Sequence, residues 1–149
     1  MGYELHITRQ DTWYDEDFSK QISMEEWKNY LTDDPEMRLD NYAEASFEDG
    51  SVLRIEGEGL AVWTKHSRLL NVWFSYYKGN ICVKSPDEEV ILKMVNIAQK
   101  LDARVQGDDM EYYGKKGLIL PDSQVVTNVQ SWRRMYNKFT SFFNKWKKQ

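Results

Sequence analysis

Three carboxylates fall within four residues, Asp108, Asp109 and Glu111, directly after Gly107. Hard divalent cations such as Mg²⁺ or Ca²⁺ need convergent oxygen ligands, so this turn is the stretch best suited to metal chemistry. Its spacing is shorter than that of a calcium loop set between two helices, and a glycine followed by acids is also the composition of a plain turn. His6 and His66 are the only histidines, and they form no His-x-x-x-His pair that would place two ligands on one helical face. His6 can join Asp108, Asp109 and Glu111 as a base or ligand in an enzymatic reading; a hydrogen-bonded structural imidazole is the competing one. Cys82, the only cysteine, lies in the apolar run 80–84 and reads as a small buried hydrophobe rather than a nucleophile. Gly57-Glu58-Gly59 lacks the following helix and the Lys-Ser or Lys-Thr of a phosphate-binding loop. No catalytic residue is assigned and no cofactor is expected.

The elements that would position these residues follow from periodicity. Tyr3, Leu5 and Ile7 alternate with polar residues, as in a half-buried strand. Ile22-Ser-Met-Glu-Glu-Trp27 carries a helix start, with Ser23 as cap, Glu26 completing a capping box and Ile22 stapled to Trp27. Asp33-Asp34-Pro35 stops that helix. Residues 36–49 show no clear period. The β-branched and aromatic runs 52–55, 60–64, 71–77 and 80–84 read as a four-stranded antiparallel meander, with a tight hairpin at Lys78-Gly79. Ser85-Pro86 predicts a second helix start, with Pro86 at the first helical position. Val90, Ile91, Met94, Val95, Ala98 and Leu101 then follow at helical spacing. Residues 103–106 and 110–113 read as short strands, and 114–121 as a connection. The order predicts an α+β fold, an antiparallel meander with helices packed on one face.

Charge is strongly segregated. The formal net charge is −4, yet residues 125–148 hold six Lys or Arg and no acid, while residues 10–49 hold thirteen acids against three bases. Val125, Val129, Trp132, Tyr136, Phe139, Phe143 and Trp146 step by four and three residues, so a helix over this segment would carry one apolar stripe about 35 Å long. Arg133, Arg134 and Lys138 lie mostly off that stripe. The division is therefore a domain over 1–121 and a basic amphipathic helix over 122–149. Docking of that helix on its own domain competes with a second copy, another protein's groove and an anionic membrane surface.

A chain of 149 residues suits one domain with a substantial core. The N-terminus lacks a secretory pattern, His6 occupies the position where a myristoylation signal has Ser or Thr, and no apolar run reaches membrane-spanning length. With a lone cysteine, a reducing cytoplasm is expected. Trp63, Trp73, Tyr76 and Tyr77 on adjacent strands could stack bases, but no basic track accompanies them, so nucleic acid is not expected as a partner.

The segments 3–9 (YELHITR), 22–27 (ISMEEW), 34–37 (DPEM) and 105–112 (VQGDDMEY) together resemble a group of small uncharacterised bacterial proteins over residues 1–113. The resemblance implies a bacterial cytoplasmic domain and carries over no site residue. The leading functional expectation is a non-enzymatic interaction module, in one form an immunity protein whose acidic surface occludes a basic toxin. A metal-binding protein or small enzyme at the acidic turn, and a peripheral membrane protein held by residues 122–149, are the alternatives.

Overall fold

A computed structural model gives the structure of residues 3–114 and 117–119. In chain order these form β1 (Glu4–Thr8), α1 (Met24–Asp33), β2 (Met37–Leu39), β3 (Tyr42–Ser46), β4 (Val52–Glu56), β5 (Ala61–Trp63), β6 (Val72–Tyr77) and β7 (Asn80–Lys84). They are followed by α2 (Glu88–Lys100), β8 (Arg104–Gly107), β9 (Tyr112–Gly114) and β10 (Gly117–Ile119). Eight strands make one sheet in the order β10-β9-β8-β1-β7-β6-β5-β2, while β3 and β4 pair only with each other. Every pairing is antiparallel. The chain is thus α+β, as its pattern predicts.

β1 occupies the middle of the sheet, and its alternation decides which face the helices cover. Leu5 and Ile7 join Ile81, Val83 and Val105 in one apolar cluster with Trp27, Tyr30 and Leu31 of α1 and Val90, Ile91, Met94 and Ile97 of α2. The predicted capping box closes α1: Ser23 Oγ accepts from the Glu26 N–H at 3.1 Å, and the Glu26 carboxylate accepts from the Ser23 N–H at 2.8 Å. The same carboxylate takes both guanidinium arms of Arg9 at 3.0 Å, and Arg9 Nε donates to the Leu101 carbonyl at 2.8 Å. One side chain therefore ties the end of β1 to the start of α1 and the end of α2. Hydrogen bonding from Arg9, and then from the Ser23 backbone, holds the Glu26 carboxyl below its ordinary value.

Three differences from the predicted elements have physical reasons. The stretch 36–49 contains β2 and β3, and β4 leaves the meander to pair with β3 from Ser46↔Val52 to Tyr42↔Glu56. Only β5, β6 and β7 continue as predicted. Tyr-Ala-Glu-Ala-Ser has weak strand preference and no long apolar row, so its pairing depends on β4 and on the turn closed by Gly50, whose φ is +87°. The cap of α2 is Asp87, which accepts from the Val90 N–H at 2.9 Å, and not Ser85. Ser85 still belongs to the sheet side, donating its N–H to the Tyr3 carbonyl at 2.6 Å. Finally, β10 pairs with β9 in a stretch that reads as a connection.

Lys78 and Gly79 have φ of +47° and +79°, the pattern of a type I′ turn that matches the twist of β6 and β7. A Cβ on Gly79 would lie 2.3 Å from Gln21 Cβ. Gly79→Ala is therefore expected to cost about 2 kcal/mol in urea unfolding. Gly50→Ala has a similar φ of +87° but open space around it, and is expected to cost about 1 kcal/mol. Equal losses would show that the contact with Gln21 contributes nothing.

The amphipathic segment with Trp132, Arg133, Arg134, Tyr136, Lys138, Phe139, Phe143 and Trp146 lies outside the described residues, and so does its docking. Among the described residues no helix is long and apolar enough to cross a membrane.

Candidate functional site

The face of the sheet opposite the helices is polar at its centre. His6 is opposite Cys82 on β7 and Gln106 on β8, and all three are buried. The loop 10–17 covers them. Trp13 lies flat on His6, with centroids 4.1 Å apart and planes 3° from parallel. Its N–H donates to Gln106 Oε1 at 2.7 Å, and its carbonyl accepts from Asn80 Nδ2 at 2.6 Å. Buried Gln10 joins this network by accepting from the Asp17 N–H at 2.9 Å. Burying four amide and imidazole side chains is tolerable only because they satisfy one another and the loop backbone.

The two ring nitrogens of His6 face different groups. Nδ1 is 3.2 Å from Cys82 Sγ, and Nε2 is 3.0 Å from Asp108 Oδ1. The other Asp108 oxygen accepts from the Glu4 N–H at 2.9 Å. Carboxylate, imidazole and thiol thus stand in line, the arrangement that activates a cysteine in nucleophilic enzymes. Here the chemistry differs. Burial, and then the charges of Glu4 and Asp108, push the Cys82 thiol well above its ordinary value, which keeps it protonated. Cys82 also sits within β7, opposite His6 on one side and Ser75 on the other, so the backbone beside the sulfur is engaged in strand pairing. A buried, protonated thiol in a closed ladder is not an attacking group.

Of the acidic turn, the structure brings Asp108 to His6 and Glu4. Asp109 is exposed, and Glu111 turns elsewhere: its Oε1 accepts from the Tyr113 hydroxyl at 2.9 Å. The turn itself is closed by the Gly107 N–H donating to the Glu111 carbonyl at 2.8 Å and the Met110 N–H to the Gly107 carbonyl at 3.0 Å. Among the described residues, the group whose ligand atoms lie within 4.8 Å of one another is Glu4, His6 and Asp108. Glu4 is absent from the sequence-based set, although its i, i+2 relation to His6 on a strand places both side chains on one face. His66 is structural. Its Nδ1 accepts from the N–H groups of Arg68 and Leu69 at 3.0 Å, leaving Nε2–H for Asp87 at 2.7 Å.

A second feature lies across Cys82. β6 pairs with β7 only from Ser75 to Tyr77, while its first half, Val72 to Phe74, pairs with β5. Where β6 and β7 part, a cleft of about 470 Å³ opens, with Val72, Trp73, Cys82, Val83 and Val90 among its lining and Ala43 and Ile55 of the β3–β4 hairpin at its side. The hairpin is two-faced, since Ala43↔Ile55 and Ala45↔Leu53 share one side, and Tyr42↔Glu56, Glu44↔Arg54 and Ser46↔Val52 the other. On the polar side Arg54 stacks at 4.0 Å over the Tyr42 ring and pairs with Glu44 and Glu56. Leu53 and Ile55 are 52% and 57% exposed, and Leu70 in the loop before β6 is 90% exposed. Residues 40–58 carry six acids against the single base Arg54.

Compared with protein-family models, curated proteins and solved structures, the chain matches none.

Proposed function

We propose that the protein is a non-enzymatic interaction module that receives a basic, partly apolar protein partner on the β3–β4 hairpin and the cleft beside it. The carrying observation is that this hairpin stands apart from the eight-stranded sheet with the apolar side chains of Leu53 and Ile55 more than half exposed. An isolated two-stranded hairpin is marginal in water, so one that presents an apolar row and free strand edges gains most from being covered. The excess of acids over residues 40–58 favours a basic occupant through steering and exclusion of acidic competitors. An acidic domain that occludes a basic toxin in the bacterial cytoplasm is the specific form this reading takes. The thiol–imidazole–carboxylate line does not favour catalysis, because its sulfur is buried and protonated.

The test immobilises the full chain and the double variant Leu53→Asp/Ile55→Asp, and recovers bound protein from lysate of the native host at low and high salt. Both side chains are exposed, so the variant is expected to unfold within about 0.5 kcal/mol of the parent. The parent is expected to retain a basic protein at low salt, and the variant to lose more than about tenfold of it. Equal recovery by the two proteins, or retention by neither, overturns the reading.

A further inference from the structure

We infer that Glu4, His6 and Asp108 form a binding site for one first-row divalent transition-metal ion, of which Zn²⁺ is the probe. The site is independent of the docking surface on the hairpin and comes from a juxtaposition at the end of β1. Glu4 and His6 project from one face of that strand, and the turn after β8 brings Asp108 beside them, so that three ligand atoms fall within 4.8 Å of one another. His6 Nε2 and Asp108 Oδ1 are 3.0 Å apart. Donors at about 2.0–2.2 Å from a common ion are separated by roughly 3–3.5 Å when adjacent, so this pair already stands at a coordination edge.

The groups behind the ligands hold them in place. His6 Nδ1 faces Cys82 Sγ at 3.2 Å, and the tautomer that carries its proton on Nδ1 uses the sulfur as a weak acceptor and leaves the Nε2 lone pair directed outward. Trp13, stacked at 4.1 Å, prevents the ring from turning. The Glu4 N–H fixes one Asp108 oxygen and so aims the other. The imidazole is 2% exposed, whereas the Asp108 side chain is 35% exposed, which leaves a solvent side for entry and for water as further ligands.

Charge points the same way. Among the described residues no Lys or Arg pairs with Asp108, and no hydrogen bond or ion pair engages the Glu4 carboxylate. Lys84 stands opposite Glu4 on β7 without an ion pair to it, so the two carboxylates beside one imidazole still repel each other, and a divalent ion removes that repulsion. One nitrogen ligand with two oxygens favours Zn²⁺, Mn²⁺, Fe²⁺ or Co²⁺ over Mg²⁺ and Ca²⁺, which take oxygen alone. The alternative occupant of the Nε2 lone pair is a proton shared with Asp108, and proton and metal compete.

The experiment is calorimetric titration of the full chain with Zn²⁺, paired with the visible spectrum of the Co²⁺ form. One ion per chain is expected. Asp108→Asn keeps one acceptor oxygen for the Glu4 N–H and turns its amide N–H towards the His6 Nε2 lone pair, and Glu4→Gln alters a partly exposed side chain, so both variants are expected to melt like the parent without metal. Each is expected to weaken Zn²⁺ binding by about 100-fold and to change the Co²⁺ spectrum. No uptake by the parent overturns the site. Binding that survives both changes but disappears in Asp109→Asn/Glu111→Gln assigns the ion to the acidic turn alone and overturns this ligand set.

Discussion

Replacing Asp34 with alanine is expected to lower stability by about 3 kcal/mol, with the loss measured by urea unfolding near neutral pH. Asp34 is 7% exposed at the end of α1, and its Oδ2 faces Lys93 Nζ of α2 at 2.8 Å. The hydroxyl of Tyr30 donates to the same oxygen, and Oδ1 accepts from the Glu36 N–H at 3.0 Å. Removing the carboxylate leaves a buried ammonium, which costs about 3–5 kcal/mol in such pairs. The lower end applies because Glu36 Oε1 remains 3.7 Å from Lys93. Burial alone would push the Asp34 carboxyl up, but Lys93, Tyr30 and the Glu36 N–H outweigh it and hold it below its ordinary 3.8. A depressed folded value stabilises above the unfolded one and loses that contribution as pH falls through the folded one. Asp34→Asn keeps the turn and the Tyr30 contact, so its deficit should shrink from about pH 7 towards about pH 2 as the parent carboxylate is protonated. A deficit that stays constant over that range removes the ion pair as its cause.

Trp27→Ala is expected to cost about 3–5 kcal/mol and to lower the melting temperature by roughly 10 °C. Trp27 is fully buried, stacks on Tyr30 with centroids 5.8 Å apart, and donates Nε1–H to the Gly59 carbonyl at 2.7 Å. The substitution opens a cavity between α1 and the sheet and strands that carbonyl. Trp27→Phe refills most of the volume without the donor, so a loss of about 1–2 kcal/mol is expected. The difference between the two variants separates packing from the hydrogen bond. Gly59, with φ +83° and Tyr76 Cβ 2.9 Å from where its own Cβ would be, fixes the carbonyl that receives the indole. A Phe variant as unstable as the Ala variant would assign the effect to the bond.

The parts of this fold that were legible are those whose signal is local. The capping box of Ser23 and Glu26 depends on residues three apart, and the apolar face of α2 on a period of three to four, so both follow from neighbours in sequence. The same is true of β5, β6 and β7, whose β-branched and aromatic runs follow one another in sequence, and of Lys78-Gly79, whose positive φ values suit a two-residue turn. The placement of β4 was not legible, because its strand preference is clear while its partner β3 is a run of small and polar residues. For the same reason the separate hairpin, with its exposed Leu53 and Ile55, has no sequence signature: an apolar strand looks the same whether it joins a sheet or stands beside one.

The candidate site divides similarly. That His6 alternates away from the apolar positions of β1 follows from the strand period, and the acidic turn after Gly107 is evident from composition. Nothing in the order of residues says that Asp108, 102 positions away, meets His6 rather than Asp109 or Glu111, or that Cys82 stands at the other ring nitrogen. Those contacts require β1 to run between β7 and β8, a non-local choice made by burying Leu5, Ile7, Ile81, Val83 and Val105 together. By itself the sequence determined the α+β class, the two helices, and the separation of acidic from basic segments, because short-range spacing and composition carry each of them. Which strand lies next to which, and hence which carboxylate meets the imidazole, was decided only by packing, since the free energy of a buried face depends on all the strands that share it.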